Sequence, residues 1–334
     1  MRVLLKGLAY AFRQLREASA FFLGIVVVFP LYVYAQVSPT EELARASSLN
    51  DEGRFAETIQ TIGSFFAQGR PNDDALIGIA WNIRGVALEN LGDWEGARRS
   101  YETAVAILCA KPDQILQYAS ALDNLGSLKA DMGQLQESRS LGIHAQQLNQ
   151  SAGNYAGAVR ASIKLALVAL AQRDRKSTRQ FLAEALKELS LVPSPEASDL
   201  AALHNAQALE CVQDGHLNDA RNEINHAIEL WTEHYGPRYY LLATGLSLRG
   251  QINNALHKGD DAREDFRHSL DLLRMNNEMG SKVYFIVEMN YANVLRNSGE
   301  RYEADRLESA AKEGLQELSH RQCNGCSVSA ASFR

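Results

Sequence analysis

Proline is scarce in this chain of 334 residues, at seven, and cysteine scarcer still, at four. A small disulfide-stapled scaffold needs far more cysteine, and a disordered low-complexity chain needs more proline and less apolar surface. Positive charge is not in surplus either. Thirty-four Lys and Arg against 40 Asp and Glu leave a net −6, the reverse of the basic surface that holds nucleic acid. The compact motifs of catalysis are missing as well: the chain has no Gly-x-Ser-x-Gly elbow, no phosphate-cradling glycine loop and no His-Glu-x-x-His pair. Nothing here assembles a nucleophile or calls for a cofactor, and the expectation is a protein that is not an enzyme.

Metal ligands receive the same reading. The densest histidine group is His226 and His234, with Glu223 and Glu233 nearby. Two histidines eight residues apart are more than two helical turns apart, a poor start for a coordination site. No metal is expected.

What is present is 46% hydrophobic residues, arranged in two ways. Residues 1–35 form one unit: Arg2, Lys6, Arg13 and Arg16 precede an apolar run from Ala18 to Ala35, broken only by Ser19, Gly24 and Pro30. Val33 and Ala35 fit the small-residue rule for cleavage after Ala35, which reads as a secretory signal peptide. The run is also near the minimum that spans a bilayer, so a retained single-pass inner-membrane anchor is the alternative. Either way the remainder is expected to be exported, periplasmic or secreted, and the cleaved chain carries −9.

The rest is periodic at helical spacing. In Trp81–Leu108 one set of residues (Trp81, Gly85, Leu88, Leu91) and a second (Trp94, Ala97, Tyr101, Ala104) each recur at steps of three or four, with Gly92-Asp93 between them. That is two amphipathic helices joined by a helix stop and a cap. The place held by Ala97 recurs at Thr58, Ser138, Thr178, Ala220, Ala262 and Ala304, at separations of 39, 41, 40, 42, 42 and 42. So steady a period makes this a repeat protein in which each pair of helices buries its faces against its neighbours. The small residues allow close helix approach, and Tyr101, Leu182, Ile224 and Phe266 fill the gap to the next repeat. Pro193 and Pro195 lie between the fourth and fifth repeats, as a bend in the array or a longer loop.

These residues, with the phrases DNLGSLKADMGQLQES (Asp123 to Ser138) and NYANVLRNSGERYEADRLESAAK (Asn290 to Lys312), resemble tetratricopeptide repeats (TPRs), in the longer variety of kinesin light chains. Thr58, Thr178 and His257, the last at a glycine place, depart from the pattern. The resemblance implies an all-α solenoid of about seven helix-turn-helix repeats in a right-handed superhelix, spanning 36–317, with a tail at 318–334. It further implies an interaction scaffold that holds a peptide or partner protein in a concave groove lined by first helices. By register, the groove residues it implies are Asn82, Asn124, Arg160, Lys164, Asn205, Gln251, Asn290 and Asn293. An asparagine amide both donates and accepts, so a row of them can hold an extended backbone. Arg160 and Lys164, one turn apart, suit an acidic group. The alternative is a regulatory or substrate-recruiting subunit of an envelope enzyme complex, with the chemistry on another chain.

Cys109 and Cys211, late in helices beside apolar residues, read as buried and inert. Cys323 and Cys326, in a polar tail, can close into a small disulfide in an exported protein; free thiols, a metal or a redox role are the alternatives.

Overall fold

The computed structural model describes residues 38–67, 73–239, 241–276 and 278–322. The N-terminal segment 1–35, with its reading as signal or anchor, and the Cys323–Cys326 pair lie outside the described residues. Within those residues the chain forms fourteen α-helices and no strand. They pair in sequence: α1 (Pro39–Asp51) with α2 (Phe55–Ala67), α3 (Asp74–Asn90) with α4 (Trp94–Leu108), and α5 (Ile115–Asp131) with α6 (Leu135–Ser151). Next come α7 (Tyr155–Ala171) with α8 (Arg175–Leu189) and α9 (Ala197–Asp214) with α10 (Leu217–Tyr235). The last pairs are α11 (Leu241–Ala255) with α12 (Gly259–Met275) and α13 (Lys282–Asn297) with α14 (Arg301–Gln322). A 3₁₀ turn, Pro112–Gln114, precedes α5.

The turn inside most repeats is built the same way. A residue with positive φ ends the first helix, and Gly53, Gly92, Gly133, Gly215 and Gly299 hold this place in five repeats. In the fourth and sixth the place falls to Arg173 (φ 56°) and His257 (φ 59°), which must adopt a backbone shape that costs a side chain. Capping follows in two of these turns, where Asp93 and Asp174 each accept from a backbone N–H three residues on, Gly96 and Ser177; Asn154 caps α7 in the same way from the turn between the third and fourth repeats, accepting from Gly157.

The small-residue places explain the packing. Thr58, Ala97, Thr178, Ala220, Ala262 and Ala304 are wholly inaccessible, and Ser138 nearly so. A threonine is tolerated because its hydroxyl returns to the preceding turn: Thr178 Oγ1 donates to the Asp174 carbonyl at 2.9 Å. Opposite, glycine makes room for the ring that bridges to the next repeat. A Cβ at Gly85 would stand 2.4 Å from Tyr101 Cε1, and one at Gly250 3.0 Å from Phe266. Tyr101 then packs with Leu125 and Leu128 of the third repeat, so the core runs along the array without a centre.

Two expectations are corrected. Leu91 is 54% exposed, because it caps the end of α3 and lies past its buried stripe. Cys109 is exposed and Cys211 half-buried, so neither is a core thiol; Cys109 sits at the C-cap of α4, where its Sγ donates to the Ala106 carbonyl at 3.2 Å. The Pro193–Pro195 segment is a loop between α8 and α9, and stacking passes across it, since α7 packs directly on α9. Among the described residues no helix is long and apolar enough to cross a membrane.

Candidate functional site

First helices of successive repeats (α1 and α3, α3 and α5, α5 and α7, α7 and α9, α11 and α13) pack on one another, whereas second helices do not approach to the same degree. Curvature follows: the first helices line the inside of the bend. Side chains one repeat apart therefore meet on this inner face, and the structure shows which do.

Asn124 Nδ2 donates to Asn82 Oδ1 at 3.1 Å, joining two of the expected groove residues across 42 positions of sequence. Asn82 in turn donates to Ser120 Oγ at 3.4 Å. Lys164 is paired with Asp123 one repeat before it, and Arg160 Nη1 lies 3.1 Å from Asp199 Oδ2 one repeat after. Both expected basic groups are thus already engaged by carboxylates. The fork between Arg160 and Asp199 holds an acid that is almost inaccessible; burial pushes that carboxyl up and the guanidinium pulls it back. Gln251 donates weakly to its own helix, at 3.4 Å to the Ser247 carbonyl. Asn205, Asn290 and Asn293 sit on the first helices α9 and α13, and they make no side-chain hydrogen bond among the described residues.

Beside Lys164 the inner face opens into a cleft of ≈ 390 Å³, walled by Asp123, Ser127 and Asp131 of α5, Leu135 and Gly142 of α6, and Lys164 of α7. That volume is in the range of small-ligand and side-chain pockets. Asp131 has solvent-accessible surface yet stands within the curve of the array, and the enclosing protein raises its pKa, with Lys282 acting in the opposite sense. Nearby, the Glu89 carboxyl is raised to about 6 by burial, against the hydrogen bond it accepts from the Tyr101 hydroxyl at 2.6 Å. Asp131 pushes Glu89 further in the same direction. Glu89 and Asp131 were not picked out from the sequence. They sit late in first helices, 42 positions apart, and that one-repeat separation is the signal in the sequence that could have found them.

No protein-family model matches the chain, and no curated protein matches it either. Solved structures do. The apo form of RapI superposes with a TM-score of 0.63 at 9% identity, covering 84% of this chain and 99% of that one. NprR in complex with its cognate peptide NprX gives 0.63 at 9%, covering 95% and 91%. A tetratricopeptide repeat protein from Parabacteroides merdae gives 0.50 at 15%, covering 86% and 99%. At these identities the likeness carries the fold alone, and that fold is the TPR α-solenoid.

Proposed function

We propose that this chain is a non-catalytic interaction scaffold that holds an extended peptide or partner segment along its inner face. The observation that supports this most is the Asn82–Asn124 pair, two amides side by side on consecutive first helices, with Asn124 next in sequence to Asp123 on the wall of the cleft. Amides at a regular spacing read a backbone and not a side chain. The solved complex of NprR with its peptide shows that a chain of this fold can hold such a ligand. Because Arg160 and Lys164 are already paired with carboxylates, the cleft suits a partner bearing a positive charge, received by Asp131, better than an acidic one.

The scaffold works outside the cytoplasm in this reading, exported by residues 1–35, and the support for that is the basic-then-apolar sequence ending at Ala35. N-terminal sequencing should return Gln36 as the first residue; an intact Met1 on membrane-bound protein would replace the signal with an anchor. An anchored chain would favour the second reading, a recruiting subunit of an envelope complex.

The groove is tested by affinity capture from the native envelope. Asn124→Ala combined with Asn290→Ala should lower partner recovery with helicity and melting unchanged. Gln147→Ala, exposed on the second helix α6, should not. Full recovery by the double variant would defeat the reading.

A further inference from the structure

Outside the groove, the fifth repeat brings together three groups of metal-ligating type. His204 lies on α9, and Glu223 and His226 lie one turn apart on α10, facing it across the helical hairpin. His204 Nδ1 is 2.6 Å from Glu223 Oε2. The two imidazole rings stand edge to face, with centroids 5.3 Å apart. One donor atom from each of the three residues lies within 4.8 Å of the others. Among the described residues no lysine or arginine pairs with Glu223, whose partner is His204.

We propose that His204, Glu223 and His226 bind a divalent transition-metal ion of the zinc type. Tetrahedral zinc, with bonds of about 2.0–2.2 Å, sets its donors roughly 3.4 Å apart. The His204–Glu223 contact needs to open slightly to admit the ion, and His226, which is exposed, needs only a side-chain rotation to close on it. Two imidazoles and one carboxylate select zinc, cobalt, nickel or copper over magnesium or calcium, which prefer oxygen donors throughout. The backbone under the site is rigid: Ala201, Ala208, Ile224 and Ala227 lock α9 to α10 in the core. Three protein donors leave a fourth position on the solvent side for water. The metal therefore bridges the two helices of one repeat. The sequence concealed this site because it set His226 beside His234, further along the same helix. The fold pairs it with a histidine 22 positions upstream.

The test uses untagged full-length chain carrying Cys323→Ser and Cys326→Ser, so that tail thiols cannot compete. Zn²⁺ titration by calorimetry should show one ion per chain, and Co²⁺ should give visible d–d absorption. Zinc should also raise the melting temperature of this chain by mass action. His204→Ala and His226→Ala should each weaken Zn²⁺ by about tenfold or more, at least the loss typical when a supporting residue of a metal site is removed. His234→Ala should have no effect. Should either alanine variant lose helicity, Glu223→Gln decides in its place: it keeps side-chain size and an acceptor for His204 while removing the ligand charge, and it should weaken binding to a similar degree. A parent chain that takes up no Zn²⁺, or His204→Ala and His226→Ala variants that bind as well as the parent, would overturn the proposal.

Discussion

Lys282, at the start of α13, holds its ammonium 5.7 Å from the centre of the Trp94 ring at the start of α4, although the two belong to the seventh and second repeats. Its charge also reaches Asp131. The array thus curves until its late repeats face its early ones across the groove. A cation over an accessible indole contributes about 0.5–1 kcal/mol, little beside the helix packing, but it acts across the open side where no packing opposes it. Lys282→Glu places a carboxylate against Asp131 and should open the curve. Small-angle scattering should report a larger radius of gyration with helicity unchanged. An identical scattering curve would show that this contact plays no part in the shape.

The pairing of Gly85 with Tyr101 gives a prediction whose sign is informative. In an exposed helix, Gly→Ala stabilises by about 0.5–1 kcal/mol. At Gly85 the new methyl would meet the tyrosine ring at 2.4 Å, so Gly85→Ala should instead destabilise by about 1–3 kcal/mol, as overpacking does. Ala97→Leu, at a wholly inaccessible place facing the same junction, should act in the same direction. Denaturant melts of the two variants check both.

Glu89 links stability to pH. Its folded pKa is raised from 4.5 to about 6. The folded state therefore binds the proton more tightly than the unfolded chain does. The associated stability is fully present below about pH 4.5 and is lost as pH rises through about 6, a change on the order of 1–2 kcal/mol. Glu89→Gln, which keeps an acceptor for Tyr101, should flatten this part of the profile. The check is the difference between parent and variant melting temperatures, measured from pH 4 to 7. A difference that stays constant across that window would contradict the assignment.

His257 occupies a left-handed turn where five other repeats have glycine. His257→Gly should raise stability by up to about 1 kcal/mol, the left-handed cost of roughly 1–2 kcal/mol less the entropy that glycine restores to the unfolded chain. A fall in melting temperature would mean that the imidazole makes a contact that outweighs its backbone strain.

Much of the fold was legible in the sequence because solenoid packing is local. Ala97 and its six counterparts are each buried against their own hairpin and its neighbour, so a period near 41 residues carries the tertiary structure directly. The site was less legible. The register set Lys164 and Arg160 on first helices, but it could not say that Asp123 and Asp199 neutralise them, since those contacts depend on how one repeat is rotated against the next. The buried network of the third and fourth repeats was missed for the same reason. There Ser162 donates to Glu188 at 2.6 Å, and Gln146 and Gln150 converge on the same carboxylate, yet as isolated letters they read as surface residues. Glu188→Ala would strand the buried Ser162 hydroxyl and should cost about 1–3 kcal/mol, measurable in the same melts.

The central claim is that the partner lies along the inner face. The most direct measurement is site-specific photo-crosslinking in the native envelope, with a benzophenone side chain placed at Ser127, on the wall of the cleft, or at Gln147, exposed on a second helix. The account predicts a partner cross-linked from position 127 and not from 147. A partner cross-linked from 147 alone would place binding on the outer helices and contradict it.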